Sequence, residues 1–167
     1  FFTNNSSKNA RDYAKKLSAM GIAATPDDVL SSGEATVRYL LSETSYRRVF
    51  VVGTPSLENE LRVVGFELTE SKPQAVVIGF DNTLTYAKLE RACLLLREGV
   101  PYFATNPDKV CPTEYGYIPD CGSIAALLRE AAVRARVLRR RRRRRGGDRP
   151  SLRRDPRRRA QDRAEPD

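Results

Sequence analysis

The sequence contains no histidine and no tryptophan, and only three of its 167 residues are cysteine. Without an imidazole, this chain cannot supply a histidine general base, and the lack of histidine also argues against an ordinary zinc site. The cysteines are odd in number and form no Cys-x-x-Cys pair, which argues against a disulfide framework. We expect Cys93 to be a buried thiol and Cys111 and Cys121 to lie in loops.

Long apolar segments are also missing. No run of about 18 apolar residues occurs, so no segment is predicted to cross a membrane. Phe1 and Phe2 are followed at once by the polar stretch 3–7, which does not resemble a signal peptide. These features predict a cytoplasmic protein with no membrane partner.

Basic charge is confined to the C-terminal end, although the whole chain has a net charge of +9. Residues 1–132 contain 14 Lys and Arg against 16 Asp and Glu, whereas residues 133–167 contain 16 Arg against 5 acids. The second segment has too few apolar residues to offset its conformational entropy, so we predict a disordered tail. It is either an arginine-rich arm that binds nucleic acid non-specifically or an out-of-frame translation of GC-rich DNA.

Residues 1–132 alternate short apolar runs with helical patterns. Runs at 49–52, 75–78 and 102–104 predict buried strands, and the apolar spacing predicts helices that end at Gly21, Gly65 and Gly99. Two further helices are expected around residues 35–41 and 124–128, the second after a long loop. Strands that alternate with helices indicate an α/β fold with a largely parallel sheet.

A polar stretch at residues 3–8 lies between a predicted strand end and a predicted helix start. The Thr3 hydroxyl, the amides of Asn4 and Asn5 and free backbone N–H groups there suit a phosphate group. Ser and Asn are equally good helix caps, so the residues alone leave both interpretations open.

Three aspartates also follow predicted strands or lie in long loops. Asp81 follows the strand 75–78, where a turn or helix-cap role is favoured over a ligand role. Asp108 and Asp120 lie in the long loop after residue 104, and long loops in compact domains are often functional. No pair of carboxylates with a fixed spacing marks a catalytic dyad.

Four segments together resemble subclass IIA of the haloacid dehalogenase superfamily, the NagD-like group of 4-nitrophenylphosphatases, phosphoglycolate phosphatases and pyridoxal phosphatases. The first segment is Phe-Thr-Asn-Asn-Ser-Ser-Lys at residues 2–8. The others are residues 31–36, residues 76–81 with 84–89, and residues 104–108 with 112–114. They occur in the order of the family and cover residues 1 to about 132.

The resemblance implies a Mg²⁺-dependent phosphatase that hydrolyses small phosphate monoesters through an aspartyl-phosphate intermediate. It implies that Thr3, with Asn4 and Asn5, holds the phosphoryl oxygens. It also implies that Asp108 and Cys111 belong to a substrate-specificity loop. Pyridoxal phosphatases have a histidine where this chain has Cys111, which weighs against pyridoxal phosphate as the substrate.

The resemblance further implies a division of the chain into three parts. Residues 1–44 correspond to a remnant of the Rossmann-like core, residues 45–132 to an α/β cap domain of the C2 type, and residues 133–167 to the tail. The Asp-x-Asp motif and the motifs that bind Mg²⁺ are absent, so we expect a truncated, inactive chain without catalytic or metal-binding residues.

Two alternatives to a phosphatase fragment remain. A cap-like module with an arginine-rich arm could bind nucleic acid without being an enzyme. Caps of this family also form dimer contacts, which implies a possible homodimer. Phe1 and Phe2 are expected at an exposed sheet edge, where they would promote aggregation.

Overall fold

The computed structural model describes residues 1–132, and the predictions made for residues 133–167 lie outside them. The elements in chain order are β1 (Phe2–Thr3), α1 (Ala10–Ala19), a 3-10 turn (Pro26–Asp28), β2 (Leu30–Ser31), α2 (Ser32–Glu43), β3 (Arg48–Val52), α3 (Pro55–Val63), β4 (Glu67–Leu68), β5 (Ala75–Ile78), α4 (Tyr86–Glu98), β6 (Tyr102–Ala104), β7 (Val110–Thr113) and β8 (Gly116–Pro119). A last helix, α5, occupies residues 121–132.

Four parallel strands form the main sheet in the order β4-β3-β5-β6. In its centre Val49 pairs with Ala75 and Val52 pairs with Ile78, while Val77 of β5 pairs with Phe103 of β6. The two short strands β1 and β2 form a separate parallel pair, and β7 and β8 form an antiparallel hairpin. The predicted α/β fold with a parallel sheet is therefore confirmed.

Helices cover both faces of the main sheet, because alternate side chains of a strand point in opposite directions. Phe50, Val52, Val76 and Ile78 pack against α4 and α5 in one apolar cluster. Their neighbours Val49, Val51, Ala75 and Val77 pack against α2 and α3 in a second cluster. Burial on both faces explains why these strands are continuous apolar runs without polar alternation.

Helix α2 belongs to the second cluster. Its Val37 and Leu40 are buried against β3 and α3. Full burial of a leucine such as Leu40 contributes about 1.5–3 kcal/mol to folding. The domain boundary after residue 44, inferred from the resemblance, remains a prediction.

Local sequence signals explain the helix ends. Asn9 caps α1, its side chain accepting from the Asp12 N–H at 3.0 Å while the Asp12 carboxylate accepts from the Asn9 N–H. Helix α4 ends at Gly99, whose φ of 100° is a left-handed conformation that favours glycine. The predicted helix ends at Gly21, Gly65 and Gly99 are confirmed.

Two predictions differ from the structure. The long loop after residue 104 contains the hairpin of β7 and β8, whose Cys111 and Ile118 pack on the first apolar cluster. Cys93 is only partly buried, whereas Cys121 at the start of α5 is completely buried and its thiol donates to the Ile78 carbonyl at 3.2 Å. The fully buried thiol is therefore that of Cys121, whereas the prediction was Cys93.

Two surface properties complete the description. Phe1 and Phe2 are exposed, Phe2 to 88%, as expected for an open sheet edge. Within residues 1–132, no helix combines the length and the apolar content that a membrane crossing requires.

Candidate functional site

The polar loop at residues 3–9 lies at the carboxyl edge of the main sheet. Ser6 is 1% exposed, and its Oγ accepts from the Phe80 N–H at 2.9 Å and lies 3.0 Å from Thr105 Oγ1. Thr54 Oγ1 donates to the Ser7 carbonyl at 3.0 Å. Phe80, Thr105 and Thr54 each lie just after a strand of the main sheet. The loop is thus fixed where ligands of parallel α/β sheets bind.

The loop also holds its own turn. Thr3 Oγ1 accepts from the Asn5 N–H at 3.2 Å. Asn5 Oδ1 accepts from the backbone N–H and the hydroxyl of Ser7 at 2.8 and 2.6 Å, which is an Asx turn. Within residues 1–132, no group accepts from the Asn5 side-chain nitrogen, which leaves it available to an anion. The cap of α1 is Asn9, so residues 3–8 do not serve as its N-cap.

Asn4 connects this loop to the predicted specificity loop. Its Nδ2 donates to Asp108 Oδ2 at 3.1 Å. Its backbone carbonyl accepts from Asn106 Nδ2 at 2.7 Å and from Ser32 Oγ at 2.6 Å. The structure thus brings together Asn4 and Asp108, two predicted site residues that are 104 positions apart in the chain.

Tyr13 contributes a hydroxyl group for which no sequence pattern predicts a role in the site. Its hydroxyl donates to the Asn5 carbonyl at 3.3 Å. Burial raises the pKa of Tyr13 above its usual value, the nearby Cys111 and Asp12 raise it further, and a hydrogen bond with Thr3 partly opposes this rise. Burial also raises the pKa of Cys111, as does Asp120. Tyr13 and Cys111 are therefore neutral at neutral pH, and Tyr13 lies beside Thr3 and Asn5.

The carboxylates near this loop all have partners. Asp81 Oδ1 accepts from the Thr83 N–H at 2.8 Å, and its Oδ2 pairs with Lys88 Nζ at 2.8 Å. Asp120 directly precedes α5, and its Oδ1 accepts from the Cys121 N–H and from Asn106 Nδ2. Asp81 has the turn role that its sequence position favoured, but the ion pair with Lys88 had no signal in the sequence.

The same carboxylates are the candidate ligands for a metal ion. Among residues 1–132, no three His, Cys, Asp or Glu side chains are grouped so that they could hold a metal ion. The Asp81 carboxylate is balanced by Lys88, and the Asp108 carboxylate is bound to Asn4. The described residues therefore do not fit a Mg²⁺ site.

The family model described as haloacid dehalogenase-like hydrolase matches residues 1–67, which contain Thr3, Asn4 and Asn5. Residues 1–67 belong to this family. The resemblance inferred from the four sequence segments is thus confirmed. An acid sugar phosphatase of Staphylococcus saprophyticus is 36% identical over 129 residues, which are 77% of this chain and 50% of that protein.

Solved structures of phosphatases have the same fold. A 4-nitrophenylphosphatase from Thermotoga maritima superposes with a TM-score of 0.77 at 45% identity, over 79% of this chain and 51% of that one. A glycerol phosphate phosphatase from Mycobacterium tuberculosis, solved in complex with magnesium, gives 0.74 at 38% identity over 79% and 41%. The chain spans about half the length of the curated relatives it matches.

Proposed function

We propose that this chain carries the phosphate-binding loop and the substrate-covering α/β domain of a phosphatase for small phosphate monoesters. The contact of Asn4 with Asp108 supports this proposal most. It joins residues 3–8, the phosphate loop, to the predicted specificity loop that contains Asp108 and Cys111. In such a site, a phosphorylated metabolite would lie with its phosphate at residues 3–5 and its leaving group near Asp108 and Cys111.

Each loop residue has a distinct role in this proposal. The Thr3 hydroxyl and the Asn5 side-chain nitrogen would donate to the phosphoryl oxygens, since the Asn5 nitrogen has no partner among residues 1–132. Asn4 would contribute its backbone and would keep its side chain on Asp108. The N-terminus of α1 follows directly, and its partial positive charge favours an anion there.

A divalent cation such as Mg²⁺ would neutralise phosphoryl charge when bound to the whole enzyme. The family mechanism also needs an aspartate nucleophile and a second aspartate two positions later, and no Asp-x-Asp occurs in the 167 residues. Because Asp81 and Asp108 already have partners, we propose that this chain alone does not hydrolyse phosphate esters. Mg²⁺-dependent release of 4-nitrophenol above the blank would contradict this.

Phosphate binding tests the proposed site without requiring turnover. Inorganic phosphate titrated into the ¹⁵N-labelled chain is expected to shift the amide signals of residues 3–8. Thr3→Ala is expected to weaken the affinity about tenfold or more, because it removes a hydrogen bond to a charged group. Thr69→Ala, beyond β4 on another part of the molecule, is the matched control and should bind as the wild type does.

The alternative function is a non-enzymatic module that binds nucleic acid. The 16 Arg of residues 133–167 favour it, although this segment lies outside the described residues. If it is correct, the chain binds single-stranded RNA with an affinity that falls steeply as salt rises, and replacing the arginines at 139–145 with Gln removes most of that binding. Weak RNA binding that is unaffected by this replacement would argue against the nucleic-acid-binding function.

Two properties of the whole protein are proposed on other grounds. All three thiols are free, which fits the reducing environment of the cytoplasm.

A homodimer through the hairpin of β7 and β8 is supported by the exposed Tyr115 and Tyr117, since aromatic side chains are enriched at interfaces. Light scattering coupled to size exclusion would measure the dimer, and Tyr117→Ser should dissociate it.

A further inference from the structure

The Asn4 carbonyl accepts two hydrogen bonds from buried side chains. Asn106 Nδ2 lies 2.7 Å and Ser32 Oγ 2.6 Å from this oxygen. Asn106 is 5% exposed and Ser32 is 9% exposed, so a water molecule cannot easily replace either donor. An unpaired carbonyl at this position would therefore be costly, and the direction of the carbonyl is well defined.

That carbonyl also determines where the next N–H points. The peptide unit between Asn4 and Asn5 is planar and trans, so its C=O and N–H point in opposite directions. The Asn5 N–H points to Thr3 Oγ1 at 3.2 Å, on the side where the phosphate is proposed. By holding the carbonyl on one side, Asn106 and Ser32 direct this N–H to the other side.

Asn106 is itself held in one orientation. Its Oδ1 accepts from the Asp108 N–H at 2.9 Å, and its Nδ2 also lies 3.5 Å from Asp120 Oδ1. Both contacts require the oxygen to face Asp108 and the nitrogen to face Asn4. Because Asn4 Nδ2 binds the Asp108 carboxylate, these contacts connect Asn4, Asn106 and Asp108 in a closed circuit.

We propose that Asn106 is a positioning residue that orients the Asn4–Asn5 peptide of the phosphate loop. Asn106 does not contact the phosphate in this proposal, which rests on the proposed function of residues 3–5. Any displacement of the segment that carries Asp108 then also turns the Asn5 N–H. The phosphate loop and the specificity loop respond to a substrate as one unit.

The test compares two substitutions that act on the same carbonyl in the full 167-residue chain. Asn106→Asp keeps the acceptor for the Asp108 N–H and replaces the donor that faces Asn4. Ser32→Ala removes the second donor without adding charge. Asn82→Asp, at an exposed position after β5, makes the same change of charge as Asn106→Asp and is the control.

Inorganic phosphate affinity is the first measurement. Asn106→Asp and Ser32→Ala are each expected to weaken it about 3- to 10-fold, the loss of one hydrogen bond, while Asn82→Asp leaves it unchanged. Amide signals of β5 and α4 report whether each variant is folded. If Asn106→Asp does not fold, Ser32→Ala decides whether holding the Asn4 carbonyl controls the phosphate affinity. Wild-type affinity in folded variants would overturn the positioning role and leave the proposed function intact.

Amide hydrogen exchange at Asn5 is the second measurement and does not depend on phosphate binding. We expect at least tenfold faster exchange at Asn5 in both variants, with unchanged exchange in β5. If the wild-type chain does not bind phosphate, the proposed function fails, and this exchange still decides whether Asn106 orients the peptide. Equal exchange rates in the wild type and in both variants would refute that orientation.

Discussion

Lys88 Nζ lies 2.8 Å from Asp81 Oδ2 and 2.7 Å from the carbonyl oxygen of Gly53. The Asp81 side chain is completely buried and that of Lys88 is 23% exposed. Gly53 follows β3 and Asp81 follows β5, so one ammonium group joins the chain segments that leave two neighbouring strands. These segments also hold the phosphate loop through Thr54 and Phe80.

Breaking this ion pair should be strongly destabilising. Lys88→Met leaves the Asp81 carboxylate buried without its counter-charge, and we expect a loss of about 3 kcal/mol in the free energy of unfolding. Urea denaturation measures it. In the double variant with Asp81→Asn, the loss should be smaller than the sum of the two single losses, because no buried charge remains.

The surface pair of Arg62 with Glu58 provides the control. The Arg62 side chain is 54% exposed and that of Glu58 is 25% exposed, and the two residues lie four positions apart on α3. Arg62→Met should cost less than about 1 kcal/mol. If Lys88→Met costs no more than this, the buried pair does not stabilise the carboxyl edge of the sheet.

Glu60 should make stability depend on pH. Its pKa is raised from 4.5 to about 7, first by burial and then by the nearby Glu34 and Asp12. The folded state therefore binds more protons than the unfolded state between about pH 4.5 and 7, so stability falls as pH rises through this window and is constant above it. We expect a loss of about 1–2 kcal/mol between pH 5 and 8, reduced by solvent screening.

Glu60→Gln should remove this dependence and stabilise the protein at pH 8. Thermal unfolding at pH 5, 6.5 and 8 measures both effects. Glu98→Gln, an exposed position at the end of α4, should keep the wild-type dependence. An unchanged pH profile in Glu60→Gln would show that other groups are responsible.

Gly122 should not tolerate a side chain. A Cβ there would lie 2.2 Å from the Pro107 carbonyl oxygen, a backbone atom that cannot move alone. Gly122→Ala should therefore cost about 2–3 kcal/mol and displace Asp108, which follows Pro107. In contrast, Gly65 has no atoms within 4 Å and a φ of +96°, so Gly65→Ala should cost about 1 kcal/mol from backbone strain.

Calorimetry of both glycine variants tests this comparison. The amide signal of Asp108 should shift in Gly122→Ala and stay in place in Gly65→Ala. Equal melting temperatures for the two variants would mean that the loop around Pro107 adapts freely.

The three thiols should differ in reactivity. Cys121 is completely buried and should resist alkylation until the protein unfolds. The pKa of Cys111 is raised by burial and by Asp120, so its alkylation should require a higher pH than that of an ordinary thiol. Asp120→Asn should shift that pH dependence downward. Iodoacetamide labelling followed by mass spectrometry identifies each site, and rapid labelling of Cys121 in the native chain would contradict the structure.

The strands of the main sheet could be predicted because their signals are local. Runs such as 75–78 are apolar and β-branched throughout, and glycines mark the helix ends. The hairpin of β7 and β8 has no such run and contains Pro112 and Pro119. Its pairing is stabilised by the packing of Cys111 and Ile118 on a distant core, which a local pattern does not contain.

The candidate site could be predicted only in part for the same reason. The position of Thr3, Asn4 and Asn5 between a strand and a helix makes them candidates, and only the family resemblance assigns them a phosphate-binding role. Ser6, Asn106 and Lys88 act through partners 74, 102 and 7 positions away, respectively. No residue type or spacing in the sequence predicts such contacts, because they form only when the chain is folded.

The distance of 102 positions between Asn4 and Asn106 also has a consequence for biosynthesis. A ribosome that adds about 5–20 residues per second needs about 5–20 s to make the intervening segment. During that interval the Asn4 carbonyl lacks one of its two donors, the Asn106 side chain. The phosphate loop is therefore among the last parts of residues 1–132 to reach its final form during synthesis.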